Sequence, residues 1–98
     1  MNKDQVLTEL QGCLSEIRAH GVRALYLFGS TARGLARAGS DVDVFIEPER
    51  ADQFNAFDLI DVKTIPEKRL DTRVDLTTRD GLHPRLREQI EREAIRVF

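Results

Sequence analysis

Asp41-Val42-Asp43-Val44-Phe45-Ile46 alternates acidic and apolar residues with period two and runs into Pro48, the pattern of a β-strand. Aspartate is depleted in strands, yet two stand here at i and i+2. They project from one face, while Val42, Val44 and Ile46 point to the other. Two carboxylates this close repel, and burying either without a partner is expensive. Alone, such a pair is most simply the solvated edge of an amphipathic strand. What surrounds it decides between that and a cation site.

Downstream, residues 73–77 read as another strand, with Val74 and Leu76 on one face and Asp75 between them. If the two strands are neighbours, Asp75 joins Asp41 and Asp43 in one acidic cluster. Three carboxylates without multiple cysteines or paired histidines suit a hard, oxygen-loving cation, Mg²⁺ or Mn²⁺ rather than Zn²⁺. Mg²⁺ commonly shares itself with substrate phosphates, so a phosphate cradle is expected nearby. Upstream, the apolar run at 24–28 is a buried strand closed by Gly29-Ser30, where a short helix over 31–36 begins. Backbone amides at such a junction favour an anion. Gly29 permits close approach, Ser30 can donate its hydroxyl proton, and Arg33 can fork onto phosphate oxygens. Gly-Ser alone is more often a turn with a helix cap. The Gly29–Gly34 spacing mimics part of a P-loop, but Leu35 stands where that motif requires lysine, which excludes it.

The remaining elements fall around these strands. A helix is expected over 3–20, with Val6, Leu7, Leu10, Leu14 and Ile17 on one stripe and Gly21 as its stop. Residues 38–40 form a turn. A helix covers 54–70, kinked or restarted at Pro66, and a last helix begins at His83-Pro84 with Leu86, Ile90 and Ala94 in register. The order α-β-α-β-α-β-α predicts an α/β fold with a small sheet of about three strands covered by helices. The link between the first two strands is marginal for a parallel crossover, which favours a mixed sheet with an antiparallel pair.

Composition sets the limits. Ninety-eight residues, 41% apolar and 33% charged, predict a single globular domain over 1–98. The one cysteine, Cys13, excludes an internal disulfide and fits a cytoplasmic location. Neither a membrane span nor a signal peptide is expected. A net charge of −2 argues against a direct nucleic-acid binder. The acids are clustered: residues 41–62 hold seven against Arg50 alone, a net of −6, between segments of +2 on either side. That is either a solvated face or a cation site flanked by anion-binding groups. Cys13, His20 and His83 read as packing or capping residues.

Gly29-Ser30, ten residues, then Asp41-Val42-Asp43 resembles the signature of the polymerase-β-type nucleotidyltransferases. The fuller Gly29-Ser30-Thr31-Ala32-Arg33-Gly34 followed by Ser40-Asp41-Val42-Asp43, with Arg73-Val74-Asp75-Leu76, is similar to the minimal nucleotidyltransferases, antitoxins of HEPN-domain toxins. The likeness covers essentially the whole chain. It implies a polymerase-β-like core in which Asp41, Asp43 and Asp75 are catalytic and hold two Mg²⁺ ions (Mn²⁺ can replace them), with ATP as substrate. Gly29, Ser30 and Arg33 would bind the nucleotide. It also implies adenylylation of a tyrosine hydroxyl on a HEPN ribonuclease toxin, in a hetero-oligomer with that partner. So short a chain lacks the domains with which templated relatives grip nucleic acid, which favours a protein acceptor. Two other functions compete: an antitoxin that merely occludes its toxin, and, ranked lower, a small-molecule nucleotidyltransferase. Three mid-strand acids favour chemistry over pure binding.

Overall fold

A computed structural model describes residues 1–37 and 39–98; of the turn expected at 38–40, Ala38 lies outside the described residues. Four strands form one sheet in the order β3-β2-β1-β4, with β1 Val22–Phe28, β2 Val42–Pro48, β3 Val74–Thr78 and β4 Ile95–Arg96. β1 runs antiparallel to β2 and β4, and β2 runs parallel to β3, so the sheet is mixed as expected. The fourth strand is new. Two residues long, it carries no alternation to read, and its pairing with Tyr26 and Leu27 is set by the far end of the chain.

Helices cover one face. The stripe Val6, Leu10, Cys13 and Ile17 is buried against the sheet, although the first helix breaks into α1 (Lys3–Gly12) and α2 (Leu14–Ala19) at Cys13. Their partners in the core are Leu25 and Leu27 of β1, Val42, Val44 and Ile46 of β2, and Val74 and Leu76 of β3. Burial pushes the Cys13 thiol pKa up, with Arg69 partly opposing, in keeping with a packing role.

α4 (Ala56–Leu70) packs against β3, α1 and α2. It does not stop at Pro66, which is buried on the inward face with Val62 and Leu70 at four-residue spacing. Asn55 starts this helix, its side chain accepting from the Phe57 and Asp58 amides at 2.9 and 3.1 Å while Asp58 accepts from the Asn55 amide. Asn55→Ala is expected to cost about 1 kcal/mol, read as a lower urea midpoint with unchanged slope.

The expected 31–36 helix is instead α3 (Gly29–Ala32), since Gly34 at φ +73° ends it within one turn. α5 (Arg87–Glu93) begins after a turn in which the His83 carbonyl accepts from the Leu86 and Arg87 amides, and it packs against α3. Among the described residues no helix is long and apolar enough to cross a membrane.

Candidate active site

The second face of the sheet carries the acids, and no helix is needed to explain why half of it is closed. Tyr26 of β1 stacks on Phe45 of β2, ring centroids 4.7 Å apart, and the Arg79 guanidinium lies 4.9 and 5.3 Å from the two ring centroids. Glu47 anchors that lid, accepting from Arg79 at 2.9 Å and pairing with Arg23. Phe45 is thereby fully buried on the face that the core helices do not cover. The other half of this face, toward the start of β2, remains accessible.

Here the register brings the acids together. Asp43 and Asp75 are direct partners in the parallel β2–β3 ladder, and Phe28 is the antiparallel partner of Asp43. Partners in a ladder share a face, so Asp75, Asp43 and Phe28 form a row across three strands, continued at once by Gly29 and Ser30. Asp41 is exposed, one residue ahead of β2, where the Val42 amide already donates to the Arg73 carbonyl at 3.0 Å.

The electrostatics of the row are those of repulsion only partly relieved. Burial, then Asp75, then Asp41 raise the pKa of Asp43, and Arg33 partly offsets them. Among the described residues, no three acidic, histidine or cysteine side chains are gathered tightly enough to form a ready-made metal cage. Two of the remaining acids of the 41–62 segment do other work: Glu47 binds the arginines of the lid and Asp58 caps α4.

Gly29 is tied to Asp43 more closely than its motif suggests. Its φ is +73°, and a Cβ built there would run into the Asp43 carboxylate, with Cγ and Cβ of Asp43 at 3.1 and 3.2 Å. The glycine therefore makes room for the acid. Phe28 supplies no side-chain acceptor at the α3 N-terminus, so no side chain competes for its leading amides. Arg33 follows at the end of this turn, exposed, with its guanidinium directed to Glu93 of α5 at 3.4 Å.

All six residues singled out in the sequence thus lie at one end of the sheet, on or beside its accessible face. What the sequence did not disclose is Glu93. It stands sixty residues from Arg33, and its sole local mark is an acid closing a helix, where the macrodipole disfavours one. The histidines play the minor parts expected of them: His20 Nδ1 lies 2.9 Å from the Glu16 carbonyl, and His83 Nδ1 accepts from the Arg85 amide at 3.2 Å.

An α/β core with helices on one face and a row of acids beside a Gly-Ser turn on the other is the frame of a nucleotidyltransferase. Residues 7–97 match the nucleotidyltransferase domain family, and the chain belongs to it. It is 35% identical over 79 residues to a candidate protein adenylyltransferase of Methanocaldococcus jannaschii, covering 81% of this chain and 83% of that protein. To the protein adenylyltransferase MntA of Thermococcus cleftensis it is 34% identical over 77 residues, covering 79% and 76%. The structure of a candidate minimal nucleotidyltransferase superposes with a TM-score of 0.82 at 38% identity, over 97% of this chain and 95% of that one. Two more distant structures share the fold. A toxin–antitoxin with AMP-PNP has a TM-score of 0.72 at 21% identity, over 90% of this chain and 72% of that one. The tri-AMPylated Shewanella oneidensis HEPN toxin in complex with MNT antitoxin gives 0.64 at 19%, over 90% and 68%.

Proposed function

We propose that this chain transfers AMP from ATP to a tyrosine hydroxyl of a HEPN-domain toxin, acting as its antitoxin from one nucleotidyltransferase domain spanning 1–98 in the cytoplasm. The observation that carries the reading is the in-register pairing of Asp43 with Asp75 beside Gly29-Ser30. It supports the reading because two acids then stand next to the turn that would receive the phosphates, as transfer between a triphosphate and an acceptor requires. Adenylyltransferase relatives at 34–35% identity support the reaction class.

The donor set fits divalent cations: carboxylate oxygens only, in excess negative charge, with the bulk of a Cβ missing where Asp43 turns. Asp41, Asp43 and Asp75 would hold two Mg²⁺ ions, or Mn²⁺ in their place. Bound there, such ions neutralise phosphate charge and make an acceptor hydroxyl easier to deprotonate. The chain's own groups do the rest. The Gly29-Ser30 turn receives the triphosphate, with the Ser30 hydroxyl donating to a phosphate oxygen and Arg33 neutralising charge. Asp75, exposed at the row's edge, takes the proton of the acceptor hydroxyl as its oxygen attacks the α-phosphorus. One phosphorus–oxygen bond forms, the bond to the bridging oxygen breaks, and pyrophosphate leaves.

The test is to incubate the chain with its HEPN toxin, ATP and Mg²⁺ and weigh the toxin intact. A gain of one or more AMP units is expected, and none after chelation of the metal. An unmodified toxin would overturn the reading.

A further inference from the structure

Arg33 is the cation nearest the acid row in the turn that receives the triphosphate, and it is already engaged. Its Nη1 lies 3.4 Å from Glu93 Oε2 at the end of α5, the helix that packs on α3. Within α5 the other acids have helical partners, Glu91 with Arg87 at 2.7 Å and Glu88 with Arg92 at 3.3 Å. Glu93 has Gln89 at that spacing, whose amide donates to its other oxygen at 3.4 Å. An acid as the last residue of a helix opposes the macrodipole, so within α5 only this long, neutral hydrogen bond favours Glu93 and no cation does. Both side chains stay wet, at 45% and 36% exposure, so the pair can part without leaving a buried charge.

We propose that Glu93 is a positioning residue that holds Arg33 as an internal counter-anion, which the nucleotide's triphosphate must displace. This rests on the reading of Arg33 as a phosphate ligand. The guanidinium cannot serve both anions at full strength, so Glu93 weakens nucleotide binding and hastens its release. It also keeps the arginine parked beside the row between turnovers. The reacting atoms do not involve Glu93, so the effect falls on ground-state affinity rather than on the chemical step.

The test compares the wild type, Glu93→Gln, Arg33→Ala and the double variant, by calorimetry with AMP-PNP and Mg²⁺ and by steady-state AMP transfer. Glu93→Gln is expected to tighten AMP-PNP binding and lower the KM for ATP about fivefold, the scale of one exposed ion pair, with kcat within about twofold. In the Arg33→Ala background the same substitution is expected to change neither. Affinity unchanged or weakened by Glu93→Gln would overturn the proposal, as would equal tightening without Arg33. A pin that merely fastens α5 to α3 would shift the melting temperature and leave KM alone. If the wild type itself fails to bind AMP-PNP with Mg²⁺, the nucleotidyl-transfer reading falls and takes this one with it. If it binds but Arg33→Ala binds equally well, the proposal alone is lost.

Discussion

Asp43→Asn is expected to lower AMP transfer by about a thousandfold or more while making the protein harder to melt. Loss of transfer follows from the position of Asp43, between Asp75 on one strand and the Gly29 turn on the other. Charge stabilisation by bound metal is worth several kcal/mol in such a reaction, and about 1.36 kcal/mol is tenfold in rate. The gain in stability follows from the pKa. Burial first, then Asp75 and Asp41, hold Asp43 above its ordinary value of 3.8. An acid whose folded pKa exceeds its unfolded one binds protons more tightly when folded. Its contribution is fully favourable below the unfolded value and is lost as pH rises through the folded one. At neutral pH the ionised carboxylate is therefore a burden, and asparagine removes it. The gain, screened by solvent at this half-buried site, is expected to show as a modest rise in Tm at neutral pH. Near pH 3 the gain should vanish. A variant that melts lower at pH 7, with activity retained, would take Asp43 out of the site.

The second large effect is Gly29→Ala, expected to cost about 1–2 kcal/mol in backbone strain alone at φ +73°. The added Cβ also meets the Asp43 carboxylate, and Asp43 sits on β2, held by ladders on both sides. Backbone there cannot yield, so the carboxylate must swing out of its place beside Gly29. A displacement near 1 Å in a reacting site costs about a hundredfold in rate, and AMP transfer should fall by at least that much. Gly21→Ala is the control. It carries a similar φ of +85° with nothing within 4 Å of the new Cβ, so it should lose comparable stability and keep its activity. Equal activity loss in both variants would mean that strain, rather than contact with Asp43, is what matters at Gly29.

The residues of the candidate site were legible because their marks are local. Period-two alternation exposes Asp41 and Asp43 within six residues, Asp75 interrupts an apolar strand by itself, and Gly29-Ser30 sits where an apolar run ends. The mixed sheet followed from the short link between the first two strands, and β1 and β2 are antiparallel. What escaped depends on distant partners. β4 exists because Ile95 and Arg96 find the free edge of β1. α4 runs through Pro66 because burial of its inward face outweighs the local preference to stop there. The break at Cys13 interrupts a stripe whose periodicity stays intact across it, so periodicity could not reveal it. The lid of Arg79 over Tyr26 and Phe45, and the tie from Glu93 to Arg33, join residues far apart in the chain and leave almost no local trace.

Silencing is expected to be chemical rather than a matter of covering the toxin. It is tested most directly by letting the chain act on its HEPN toxin with ATP and Mg²⁺, separating the two under denaturing conditions, and refolding the toxin alone. The toxin is expected to remain silent and to carry AMP on a tyrosine, whereas toxin treated with the Asp43→Asn variant should regain full activity. A wild-type-treated toxin that recovers once the chain is removed would contradict the account and leave occlusion in its place.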